Sequence, residues 1–80
     1  MPRLRVLSGQ EVIQAFERLG FSVIKQKGSH IKLQRITLNG KETLTVPLHD
    51  ELDKGTLRGI YNQARRFVSE KELQPYFYET

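Results

Sequence analysis

His30-Ile31-Lys32-Leu33-Gln34-Arg35-Ile36-Thr37-Leu38-Asn39-Gly40-Lys41-Glu42-Thr43-Leu44-Thr45-Val46-Pro47-Leu48-His49 is the stretch whose reading decides the fold of this chain. Ile31 and Leu33 alternate with Lys32 and Gln34, the period-two pattern of a strand that buries one side only. Leu44, Val46 and Leu48 repeat the pattern further on. Between the two runs lies Asn39-Gly40, the dipeptide best suited to a two-residue type I′ hairpin because both of its residues tolerate positive φ. A turn there pairs Leu38 with Lys41 and, counting outward, Leu33 with Val46, Ile31 with Leu48 and His30 with His49. Ile31, Leu33, Leu44, Val46 and Leu48 then share a core face. His30, Lys32, Gln34, Thr43, Thr45 and His49 share the wet one.

Upstream, Phe21 to Lys27 is rich in β-branched and aromatic residues, and Gly28-Ser29 supplies a turn into the next strand. Before it, Ser8-Gly9-Gln10-Glu11 has the form of a capping box, which starts a helix at Ser8. Val12, Ala15, Phe16 and Leu19 recur at helical spacing, and Gly20 stands where a C-terminal cap is wanted. Downstream of an acidic turn at Asp50-Glu51-Leu52-Asp53, the residues Leu57, Ile60, Tyr61, Ala64 and Phe67 or Val68 form a second apolar stripe. Ser69-Glu70-Lys71-Glu72 repeats the capping pattern ahead of a short final helix lined by Leu73, Tyr76 and Phe77, in which Pro75 must be tolerated. The expected fold is α+β, in the order α-β-β-β-α with a short C-terminal helix, the helices covering one face of a three-stranded antiparallel sheet.

The 80 residues, 38% of them hydrophobic, suffice for one domain spanning 1–80 with one modest core. There is no cysteine, so neither a disulfide framework nor a thiolate metal site is available. No apolar run approaches the ~20 residues that span a bilayer, and Met1-Pro2-Arg3-Leu4-Arg5-Val6 lacks the run of a secretory signal. A cytoplasmic location is the expectation. The net charge of +4 is unevenly placed: residues 1–49 hold eight Lys/Arg against three Asp/Glu, and residues 50–80 hold five against six. The first half is where an anion would land.

Within that half, His30 is the residue with chemistry to offer, since imidazole exchanges protons near neutrality. A histidine that merely tolerates a strand edge is the competing reading. Its place on the wet face, after Gly28 and Ser29 and two residues before Lys32, favours proton transfer on a phosphodiester, and hence RNA, as strongly as the plainer role. Lys25, Lys27 and Lys32 would offset charge on the phosphate. Gly28 would let a phosphate approach and Ser29 contact it, or the pair simply closes a hairpin. His49 fits two roles equally, an auxiliary to His30 or a fastening for the acidic turn. A metal between the two histidines would need a third ligand such as Asp50, so no metal or other cofactor is expected. Lys54-Gly55-Thr56 is either a plain helix start or an anion site, with Asp50, Glu51 and Asp53 opposing the latter. Arg58, Arg65 and Arg66 form a solvated flank or meet acidic residues of a partner.

At Leu19-Gly20-Phe21, Gly28-Ser29-His30, Val46-Pro47-Leu48-His49 and Lys54-Gly55-Thr56-Leu57-Arg58-Gly59-Ile60 through Gln63-Ala64, the chain resembles the HicA family of bacterial toxins. The match covers roughly residues 8–64 and leaves 65–80 as a C-terminal extension. The resemblance implies a fold like the double-stranded RNA-binding domain and activity as an mRNA interferase that cleaves messages and blocks translation, an endoribonuclease whose internal attack by the 2′-oxygen would need no metal. It implies His30 as the catalytic residue and a HicB-like antitoxin as the partner that covers it. Two departures stand out: Ile31 follows the histidine where many relatives have a polar residue, and Arg65-Arg66-Phe67-Val68 stands where a glycine usually breaks the chain. The alternative function is a noncatalytic RNA-binding module of the same fold, and a third is an interaction domain that binds no nucleic acid.

Overall fold

The computed structural model describes residues 2–79. The elements follow in the order β1 (Arg3–Leu4), α1 (Gly9–Arg18), β2 (Ser22–Lys27), β3 (His30–Thr37), β4 (Gly40–Pro47), α2 (Lys54–Ala64), α3 (Glu70–Phe77) and β5 (Tyr78–Glu79). Strands β2, β3 and β4 make an antiparallel meander in that order, and β1 pairs with β5 as a separate two-residue ribbon. The α+β reading holds. The ribbon joining the two ends of the chain is an addition, because two-residue strands carry no alternation to detect.

Each helix starts where its cap chemistry asks. The Ser8 hydroxyl accepts the Glu11 N–H at 3.1 Å, and the Glu11 carboxylate accepts the Ser8 N–H at 2.9 Å, a complete capping box. Asp53 caps α2 by accepting the Thr56 N–H at 2.7 Å. Ser69 caps α3 by accepting from the Glu72 N–H. Pro75 lies in the second turn of α3, whose end is fastened by the Arg5 N–H donating to the Phe77 carbonyl at 2.8 Å. One core unites the elements: Val12 and Phe16 of α1, Leu33 and Leu44 of the sheet, Leu57 and Ala64 of α2, and Leu73 and Phe77 of α3 are all almost fully buried. The C-terminal extension therefore belongs to the core rather than hanging beside it.

The β3–β4 register departs from the expectation by two residues. Thr37 pairs with Gly40, so the turn is centred on Leu38-Asn39, and the ladder runs Leu33↔Leu44, Ile31↔Val46 and His30↔Pro47. Gly40 alone has positive φ here, 116°, while Asn39 does not, which rules out the I′ geometry. The local cause is Thr37, whose hydroxyl accepts the Asn39 N–H at 3.1 Å and draws the chain round one residue earlier. A slip of two keeps every side chain on its face, so Ile31, Leu33, Leu44 and Val46 are buried as expected. Two expectations fail with it: Leu48 lies past the strand and is exposed, and His49 does not face His30.

The corrected register brings Arg35 opposite Glu42 on the core side of the sheet. Arg35 Nε meets Glu42 Oε1 at 2.8 Å, its Nη1 donates to the Leu19 carbonyl at 2.9 Å, and its Nη2 donates to the Phe67 carbonyl at 3.0 Å. The guanidinium carbon also lies 4.7 Å from the Phe21 ring centroid. One half-buried side chain thus ties the end of α1, the sheet and the α2–α3 connection together.

Candidate functional site

The wet face of the meander is organised by a bulge. In β2, Val23 pairs with Leu33 and Lys25 with Lys32, leaving Ile24 extra. With strict alternation Val23 and Lys25 would share a face, so the extra residue switches parity and sends Lys25 and Lys27 to the side that carries Lys32 and His30. Lys25 then stands across from Lys32, and Lys27 across from His30. These two rows are two residues apart on β3, about 7 Å at ordinary strand rise.

Lys25, Lys27, His30, Lys32 and Thr45 line one open depression of about 210 Å³ on this face. His30 is the first residue of β3 and is exposed, as are all three lysines. Among the described residues the ion pairs are Arg35–Glu42 and Arg65–Glu70, so no carboxylate is paired with these ammonium groups. An imidazole open to solvent beside three such cations is suited to receive a phosphodiester, hold its oxygens and exchange a proton at it. Thr45 completes the wall from β4. Its alternation on the wet face was legible, yet its nearness to Lys32 depends on the register the turn sets.

The remaining sequence candidates fall elsewhere. Gly28 and Ser29 make the two-residue β2–β3 turn, with Gly28 at φ 60° in the first central position, where a type II′ turn wants glycine. They border the depression without lining it, and the Ser29 carbonyl accepts the Leu48 N–H. His49 lies beyond β4, where its carbonyl accepts the Gly9 N–H at 2.8 Å, joining the start of α1 to the sheet. That contact leaves no room at Gly9: a Cβ there would lie 2.1 Å from the Pro47 carbonyl oxygen. At the head of α2, the Thr56 backbone and hydroxyl donate to Asp53 and hold its carboxyl below the ordinary value of 3.8, with nearby His49 adding a little. At the Lys54-Gly55-Thr56 helix start, the Thr56 N–H is therefore already engaged by Asp53. Arg65 is turned to Glu70 at 2.7 Å.

The chain is thus a small basic α+β domain that packs its helices on one sheet face and gathers three lysines around an exposed histidine on the other. Residues 9–65, more than half of the 80, match the family model described as HicA toxin of bacterial toxin-antitoxin systems. The chain belongs to this family, and so is the toxin of a toxin-antitoxin pair. A comparison with curated proteins gave no match. No helix among the described residues is long and apolar enough to cross a membrane.

Proposed function

We propose that this toxin is an endoribonuclease that cuts messenger RNA and so blocks translation, with His30 as its catalytic residue. The observation that carries the reading is the depression in which the imidazole of His30 lies among Lys25, Lys27 and Lys32. The RNA backbone lies along the lysines. His30 takes the proton of the 2′-hydroxyl, whose oxygen attacks the adjacent phosphorus. The bond to the 5′-oxygen breaks, and that oxygen receives a proton from the imidazolium or from water, leaving a 2′,3′-cyclic phosphate and a 5′-hydroxyl. Lys32, Lys25 and Lys27 offset the charge that builds on the phosphorus oxygens. This route asks for no metal, so cleavage is expected to continue undiminished in excess chelator. A HicB-like antitoxin that covers His30 would silence the enzyme by denying RNA the depression.

The test is to incubate the purified chain with a fluorescent transcript and to induce it in growing cells. Wild type shortens the transcript and arrests growth, and His30→Ala lowers the cleavage rate by at least about a hundredfold. Equal cleavage and equal toxicity from His30→Ala would end the assignment. Tight RNA binding by the wild type with no shortening would move the protein to the noncatalytic reading.

A further inference from the structure

A second concavity, about 540 Å³, lies where the terminal ribbon meets the start of α2. Arg3 of β1 and Lys54 and Arg58 of α2 bring three positive charges to it, and Leu4, Val6 and Tyr78 give it apolar walls. None of the five residues that line the His30 depression borders this cleft. Its β1 and β5 parts also fall outside the matched residues 9–65.

The charges in this cleft are unsettled. Lys54 and Arg58 are one helical turn apart, a like-charge spacing that disfavours the helix, and Arg3 adds a third cation from another element. Glu79 stands across from Arg3 in the ribbon, and Asp53 precedes Lys54 but is engaged with Thr56. Among the described residues neither forms an ion pair with the three cations. An anion from outside would relieve the repulsion. The walls say which kind: Val6, 72% exposed, stands with Leu4 and Tyr78 in the same cleft as the cations, and a phosphodiester backbone has nothing to set against that apolar surface. A segment of protein that carries both carboxylates and aliphatic side chains satisfies both halves of the cleft.

We propose that this cleft is a docking site for an acidic, aliphatic segment of the partner antitoxin, separate from whatever covers His30. The inference rests on the toxin having a protein partner, not on catalysis at His30. A partner gripped at two places gains from the high effective concentration of the second contact once the first is made.

The experiment titrates the isotope-labelled full chain with a short peptide alternating Glu and Leu, and separately with oligouridine of the same length, following amide shifts. The peptide is expected to shift Arg3 to Val6 and Lys54 to Arg58. Its affinity should fall about tenfold in K54E/R58E and drop again on Val6→Ser, while Lys25→Gln with Lys27→Gln leaves it unchanged. Shifts centred on Lys25 to Lys32, an unchanged affinity in K54E/R58E, or no binding would overturn the proposal. So would oligouridine, rather than peptide, responding to K54E/R58E. Loss of cleavage activity in any of these variants has no bearing on the readout, so the failure of this proposal and that of the nuclease reading remain separable.

Discussion

Charge placement at single residues divides this molecule's cations into two kinds. Arg35 is half-buried and saturated, with two carbonyls and one carboxylate around its guanidinium, whereas Lys25, Lys27 and Lys32 stand in solvent with no such partners. Structure consumes the first, and the others are available to the ligand proposed for this face. Arg35→Ala therefore leaves the Leu19 and Phe67 carbonyls and Glu42 without their donor and is expected to cost about 2 kcal/mol in denaturant unfolding. A loss below about 0.5 kcal/mol would show the clamp to be incidental. Arg35 could have been found in the sequence, since alternation puts it on the core side, where an arginine must be partnered. The expected hairpin register set Leu44 against it and hid Glu42. A rule that an inward arginine seeks an inward glutamate would have chosen the true pairing over the one that Asn39-Gly40 suggested.

At the scale of elements, helices were more legible than turns. Caps at Ser8 and Ser69 depend on residues within one turn of each other, so sequence neighbours settle them, whereas Asp53, expected only as part of an acidic turn, is the α2 cap. The β3–β4 turn instead reflects a competition between Gly40's tolerance of positive φ and the Thr37 hydroxyl, and both outcomes keep the same faces. The bulge at Ile24 had no signal in alternation, because the run from Ser22 to Lys27 is exposed throughout. Deleting Ile24 converts the bulge to regular pairing with Val23 still across from Leu33 and Lys25 still across from Lys32. The fold and RNA affinity of that variant, followed by circular dichroism and fluorescence anisotropy, should stay within about threefold of the parent. Collapse of RNA binding would show that the bulge's twist, and not only its parity, shapes the site. Gly9 is a matching case of close approach between elements. With a Cβ placed 2.1 Å from the Pro47 carbonyl oxygen, Gly9→Ala must push α1 off the end of β4, at an expected cost of about 1–3 kcal/mol by thermal unfolding.

For the molecule as a whole, one core drawn from every helix and from the meander carries two solvent-facing basic regions, the His30 depression and the cleft at the terminal ribbon. Affinity for RNA at the first should follow the release of counterions. Replacing Lys25, Lys27 and Lys32 with glutamine should weaken binding and flatten the slope of log affinity against log salt by about 2, near 0.7 for each lost phosphate contact on single strands. An unchanged slope would place RNA elsewhere on the surface.

The decisive measurement is a paired one on His30→Ala, RNA affinity and single-turnover cleavage rate on the same transcript. The exposed imidazole supports no core contact, so the account predicts affinity within about threefold of wild type and a rate lower by at least about a hundredfold. Affinity and rate falling together, or neither falling, would contradict it.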